Sequence, residues 1–153
     1  MADTAVILAA GMGSRLAASG DAETFSKPLM VVGGKSLLER TIGCCRAAGA
    51  RRIIVVTGFR AELIEAEVAR LTHGDLETVH NPEWTKSNGL SVYACREHVD
   101  APFALMMSDH VFDPSILADL LALAPPPGSV TLAVDYKIAE VFDLDDATKV
   151  QID

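Results

Sequence analysis

Ala5-Val6-Ile7-Leu8-Ala9-Ala10-Gly11-Met12-Gly13-Ser14-Arg15 is the stretch on which the fold turns. Its first four residues are apolar and read as a buried strand. The strand opens into a turn of small residues that holds two glycines. Backbone N–H groups in such a turn, at the carboxyl end of a strand, bind anions, and the small residues let a ligand come close. Arg15 and the later Lys27, within Ser26-Lys27-Pro28-Leu29, add two cations to the same mouth. Together these features predict a polyphosphate site.

Outward from that stretch, strand-like and helix-like segments alternate. Thr4 to Ala9 reads as a strand. Gly11 to Ser26 reads as loop, with a short helical start at Arg15-Leu16-Ala17. Residues 29 to 32 form a short extended piece that Gly33-Gly34 turns. Ser36 to Ala48 reads as a helix on the spacing of Leu37, Leu38, Thr41, Ile42 and Cys45. Ser36 caps it, Glu39 completes a capping box and Gly49 ends it. Arg52 to Thr57, with its β-branched run Ile53-Ile54-Val55-Val56, reads as a strand buried on both faces. Ala61 to Leu71 follows as a helix with Ile64, Val68 and Leu71 inward.

Leu76 to His80 is a strand broken by Asn81-Pro82. Leu90 to Glu97 reads as a helix and Phe103 to Met107 as a buried strand. Asp113-Pro114 opens another helix, which Ala124-Pro125-Pro126-Pro127-Gly128 ends. Val130 to Asp135 reads as a further strand. Ala147 to Ile152 is expected to pair in a hairpin after Asp143-Leu144-Asp145-Asp146. The alternation predicts a mostly parallel sheet with helices on both faces. The chain stops at Asp153 inside a strand-like stretch, so residues 1–153 are expected to be the N-terminal part of a longer domain.

The bulk numbers narrow the class. The chain has 153 residues, half of them hydrophobic and 22% charged, which suits one globular domain with a core. A net charge of −8 argues against a nucleic-acid surface, which needs a basic patch. No apolar stretch reaches the roughly 20 residues that span a bilayer, and the start lacks a basic n-region. Cys44, Cys45 and Cys95 show no metal spacing and read as packing residues in a reducing, cytoplasmic compartment.

Two phosphate-binding motifs fail. A dinucleotide fingerprint would need a small residue where Leu16 stands, and an acid after the second strand, where Thr57-Gly58 stands. Gly34-Lys35-Ser36 resembles the end of a P-loop, but that motif needs glycine at Leu29. The first failure removes the dinucleotide-dependent oxidoreductase.

The pattern that survives is L-A-A-G-x-G-x-R with K-P-L downstream. It resembles the nucleotidyltransferases that move a nucleoside monophosphate onto a phosphorylated acceptor, a group shared by the sugar-phosphate nucleotidylyltransferases and the molybdenum-cofactor guanylyltransferases. Two further elements agree in order: Asn81-Pro82 with Ser87-Asn88-Gly89-Leu90-Ser91, and Met107-Ser108-Asp109-His110. Within the group, Ser108-Asp109-His110-Val111-Phe112 is most similar to the inositol-1-phosphate cytidylyltransferases. The resemblance implies a Rossmann-like three-layer α/β/α nucleotidyltransferase fold. It also implies transfer of CMP from CTP to an alcohol phosphate, inositol 1-phosphate above all, with release of pyrophosphate. The product would be a CDP-alcohol for phospholipid-type synthesis. In that family the domain is often joined to a membrane-embedded synthase.

Each residue then has an expected role. Arg15, with its planar fork, suits the β- and γ-phosphates. Lys27 suits the α-phosphate, and Pro28 is expected to hold it extended. Leu8, Ala9, Ala10, Gly11, Gly13 and Ser14 form the nucleotide-binding turn. Ser87, Asn88, Gly89 and Ser91 face the base or ribose, although Ser87 or Asn88 also reads as a helix cap. Thr57 is a weaker candidate for the same side. Asp109, at a strand's carboxyl end, is the expected Mg²⁺ ligand. His110 is expected beside it or facing the acceptor, and Asp135 is a lesser acceptor candidate. Other phosphorylated acceptors (phosphocholine, aminoethylphosphonate, a sugar 1-phosphate), other NTP donors, and a CTP sensor without turnover remain open.

Overall fold

β1 (Thr4–Leu8) lies inside the main sheet because its residues are apolar on both sides: Ala5, Val6 and Ile7 are fully buried and Leu8 nearly so. The computed structural model describes residues 2–13, 26–140 and 148–151. Past the first gap, Lys27–Leu29 forms a single 3-10 turn. β2 (Val31–Val32) and β3 (Lys35–Ser36) make a two-residue antiparallel hairpin. Gly33 and Gly34 link them with φ of 58° and 81°, the pair of positive angles that a tight hairpin turn demands and glycine supplies without strain.

α1 (Leu37–Ala47) follows, then β4 (Arg52–Thr57), α2 (Ala61–Leu71), β5 (Leu76–His80), α3 (Asn88–Ala94), β6 (Ala104–Met107) and α4 (Pro114–Ala122). Ser36 caps α1 as expected, its Oγ accepting from Glu39 N at 3.0 Å. Asp113 caps α4 the same way, accepting from Ser115 N at 2.9 Å.

The four long strands pair in the order β5-β4-β1-β6, all parallel. Alternate side chains divide the core into two faces. Ala5, Ile7, Ile53, Val55 and Met106 pack against Leu38, Ile42 and Cys45 of α1, Ile64, Val68 and Leu71 of α2, and Leu117 and Leu121 of α4. Val6, Leu8, Ile54, Val56 and Val79 pack on the other side with Val92 and Ala94 of α3, Cys95, Trp84 and Phe103. The result is the three-layer α/β/α arrangement that strand–helix alternation predicts.

Three expectations change. The third helix begins at Asn88, not Leu90, because Ser87 is extended (φ −75°, ψ 153°) and its carbonyl takes Leu90 N at 3.0 Å. It ends at Ala94, where tighter bonds from Cys95 N to Val92 O and from Arg96 N to Tyr93 O close the last turn. Val130 to Asp135 forms no strand. Val130 is 92% exposed and Leu132 64%, and β-branched residues make a strand only against a neighbour that pairs with them. Finally, Lys27 opens a 3-10 turn rather than lying extended. Ser26 is the extended residue (φ −136°, ψ 111°), and Leu29 N bonds back to its carbonyl at 2.9 Å. The helical start at Arg15-Leu16-Ala17 and the turn at residues 143–146 lie outside the described residues.

Candidate active site

The topology marks one place for a ligand. From β1 the chain builds outward through β4 to β5, then crosses back to lay β6 on β1's other side. In open α/β sheets the crevice beyond the carboxyl ends of the strands, where the winding reverses, is the binding place. Here that crevice lies past Leu8 on β1 and Met107 on β6. Ser108 N extends the ladder by one bond, to Leu8 O at 3.1 Å.

Asp109 stands at this point, and the Lys27 turn comes to meet it. Lys27 Nζ is 2.5 Å from Asp109 Oδ2. Pro28 is buried and anchors the turn, and Leu37 N donates to Met30 O at 3.0 Å, which ties the turn to the start of α1. Burial acts to raise the Asp109 carboxyl, but the Lys27 hydrogen bond and charge outweigh it, so the group lies below its ordinary value and is ionised at neutral pH. The second oxygen, Oδ1, is buried and, among the described residues, accepts no hydrogen bond. His110 is mostly exposed, with Nε2 at 3.9 Å from that oxygen.

The turn after β1 is held from the β4 side. Ala9 N donates to Val56 O at 2.9 Å and Phe59 N to Ala10 O at 3.0 Å. Ala9 and Ala10 are buried, Gly11 is exposed, and Gly13 has φ 64°, an angle suited to glycine. Ser14 and Arg15 lie outside the described residues.

The Ser87–Ser91 segment divides. Ser87 is the N-cap of α3 without a side-chain cap bond, and Ser87, Asn88 and Gly89 are exposed. Ser91 is buried, and its Oγ accepts from Asn81 Nδ2 at 3.0 Å. Thr57 is also buried: its hydroxyl donates to Glu65 Oε1 at 3.1 Å and lies 3.3 Å from His80 Nδ1. These two hydroxyls are engaged with the protein's own side chains. Asp135 is exposed, and its carboxylate accepts from Lys137 N at 2.8 Å. The structure thus brings Lys27, Asp109 and the end of β1 together.

Two contributors had no role of their own in the sequence reading, although Asn81-Pro82 belongs to its family pattern. Asn81 is buried and braces the loop into α3: its N donates to Thr57 O, its Oδ1 accepts from Glu83 N, and its Nδ2 reaches Ser91. Gly58 allows the close approach of β4 to the β1 turn. A Cβ there would lie 2.4 Å from Trp84 Cβ and 2.9 Å from both Ala10 Cβ and Ala10 O. The first role has a signal, an Asx turn at Asn81-Pro82. The second has none, since the crowding comes from residues far apart in the chain.

Comparison with known proteins agrees with this geometry. The model of the MobA-like NTP transferase domain matches residues 5–140. The chain belongs to that family. Among curated relatives of this MobA-like domain is the "Bifunctional IPC transferase and DIPP synthase" of Thermococcus kodakarensis, 42% identical over 112 residues, covering 72% of this chain and 24% of that protein. The protein of the same name from Rubrobacter xylanophilus is 34% identical over 150 residues, covering 97% of this chain and 32% of that one. The chain therefore spans about a quarter to a third of these relatives. The solved inositol-1-phosphate CTP transferase from T. maritima shares the fold, with a TM-score of 0.66 at 24% identity over 81% of this chain and 50% of that one. Among the described residues, no helix of this MobA-like domain is long and apolar enough to cross a membrane.

Proposed function

We infer that this chain carries nucleotidyl transfer: it moves CMP from CTP to an alcohol phosphate, inositol 1-phosphate being the favoured acceptor, and releases pyrophosphate. One observation carries the reading. The Lys27 ammonium and the Asp109 carboxylate meet at the switch point of the sheet, beside the turn that follows β1. The family and its transferase relatives support the same reaction class.

The acceptor's phosphate oxygen attacks the α-phosphorus, and the bond from that phosphorus to the bridging oxygen of pyrophosphate breaks. A phosphate monoester already carries about −1.5 to −2 charge at neutral pH, so no general base is needed. The barrier is repulsion between anions and the charge that grows on the leaving group. The protein's task is to supply alignment and fixed positive charge. Amides of the turn at Gly11 and Gly13 would cradle the triphosphate. Lys27 would turn toward the α-phosphate, and Arg15 would take the β- and γ-phosphates. The exposed Ser87–Gly89 edge at the start of α3 would line the base and ribose.

A divalent cation fits this site. Asp109 Oδ1 is a buried acceptor without a partner among the described residues, a costly condition that a cation relieves. The donor is a hard carboxylate oxygen and the substrate a triphosphate, so the cation would be Mg²⁺, which takes one or two carboxylates and completes its shell with phosphates and water. When bound it would neutralise phosphate charge and act as a Lewis acid. Work in the cytoplasm accords with three unpaired cysteines.

The test is pyrophosphate release by the full chain on mixing with CTP, Mg²⁺ and inositol 1-phosphate, beside phosphocholine, 2-aminoethylphosphonate and sugar 1-phosphates. Release dependent on CTP and inositol 1-phosphate is the expected result. Release with a different acceptor would move the substrate assignment. Tight CTP binding with no release under any condition would instead make the domain a CTP sensor.

A further inference from the structure

Asp109 does not hold its place by itself. Thr41 lies on the face of α1 that is otherwise apolar, between Leu38, Ile42 and Cys45, and is only 2% exposed. Its Oγ1 is 3.0 Å from Leu37 O, the usual back-bond of a helical threonine. The same oxygen is 3.2 Å from Ser108 O, across the layer boundary, so its one proton is shared between the two carbonyls. That carbonyl belongs to the peptide whose nitrogen is Asp109's. Nearly one turn along α1, Cys44 Sγ lies 3.8 Å from Phe112 O, at the far end of the same loop. The start of α1 is tied to the Lys27 turn through Leu37 N and Met30 O. One helix therefore holds both members of the Lys27–Asp109 pair.

We propose that Thr41 is a positioning residue: its hydroxyl proton, shared between the Leu37 and Ser108 carbonyls, sets the Ser108–Asp109 peptide so that one Asp109 oxygen meets Lys27 and the other stays turned to a divalent cation. This rests on the reading above, in which Asp109 is the cation's ligand. A buried threonine in an apolar stripe could serve packing alone, and valine would then serve as well. The hydroxyl matters because it reaches an acceptor outside its own helix. Groups that orient a metal ligand without touching the metal change affinity by about 10- to 100-fold when removed.

The experiment separates methyl from hydroxyl. Mn²⁺ binding in the presence of CTP is read by electron paramagnetic resonance on the full chain, without turnover, for the parent, Thr41→Val and Thr41→Ser. Thr41→Val keeps the shape and is expected to bind Mn²⁺ about tenfold more weakly or worse. Thr41→Ser loses a buried methyl and is expected to melt at a lower temperature yet bind Mn²⁺ as the parent does. Metal affinity and stability thus move independently, which a packing role would not allow. Equal Mn²⁺ affinity in Thr41→Val and parent would overturn the proposal and leave the nucleotidyltransferase reading intact. A parent that binds no Mn²⁺ with CTP would overturn that reading, and this one with it. Should Thr41→Val not fold, Thr41→Ala against Thr41→Ser makes the same comparison, and equal affinities there sink the proposal.

Discussion

Lys27 Nζ sits 2.5 Å from Asp109 Oδ2, so the two charges central to the site neutralise each other before any nucleotide arrives. Both side chains keep some contact with solvent, at 33% and 23% exposure. A pair of this kind is worth about 0–1 kcal/mol. A triphosphate, with several negative charges and many acceptor oxygens, can draw the ammonium away. Under the proposed function, the pair would give way to the triphosphate when it binds.

Replacing the lysine tests that exchange. Lys27→Ala is expected to lower kcat by about 10²–10³-fold, the scale on which a charge aimed at the transition state acts. CTP affinity should fall much less, because the triphosphate keeps the backbone turn. Steady-state kinetics beside equilibrium CTP titration reads both numbers. An unchanged kcat removes Lys27 from the mechanism.

Asp109→Asn keeps the shape and removes the charge. Divalent-cation activation should then need far higher metal concentrations, while the fold, with its amide still beside Lys27, is retained. A metal titration of activity checks this, and a normal curve would place the ligand elsewhere.

Gly58 is expected to resist even alanine. The added Cβ would meet Trp84 Cβ at 2.4 Å and the backbone oxygen of Ala10 at 2.9 Å, and neither is the loose end of a flexible side chain. Overpacking of this kind costs about 1–3 kcal/mol. Urea denaturation of Gly58→Ala measures it. CTP affinity should fall as well, because Ala10 leads directly into Gly11. A variant as stable as the parent would show that the β1 turn moves aside without cost.

Acid should act through Arg46 and Asp75. Arg46 Nε and a second guanidinium nitrogen contact the two Asp75 oxygens at 2.6 and 2.8 Å, and the guanidinium also donates to Leu71 O. The Arg46 hydrogen bonds hold the Asp75 carboxyl well below its ordinary value of 3.8. A depressed carboxyl contributes stability above its unfolded value and loses it as pH falls toward the folded one. Arg46→Met should cost about 1 kcal/mol at pH 7, the upper end for a solvent-facing pair. The gap between parent and variant should narrow progressively below about pH 4. Denaturation at pH 7 and pH 3 gives the comparison, and a gap independent of pH would assign the loss to packing.

The fold was legible wherever a local pattern had one physical outcome. Ile53 to Val56 could only be buried on both faces, and Ser36 with Glu39 could only open a helix. The end of that helix at Gly49 and the start of α4 at Asp113-Pro114 follow from caps that act within one turn. Val130 to Asp135 misled because β propensity requires a neighbouring strand, and composition does not reveal whether one is there. At the site, Asp109 and Lys27 were legible as residue types in a family pattern. Thr57 and Ser91 were legible only as polar residues near strand and helix ends, whereas the structure turns their hydroxyls to Glu65 and Asn81.

By itself the sequence determined the order and kind of the elements, because hydrogen bonding along a helix, capping and the two-sided burial of a strand act over a few residues. It also carried the expectation that an acidic chain holds a local set of phosphate-seeking groups. Only the tertiary structure decided that β6 returns to β1, so that Lys27 meets Asp109 and Thr41 reaches the Ser108 carbonyl. Those contacts join residues from separate layers, and their distances depend on packing that no neighbouring residue specifies.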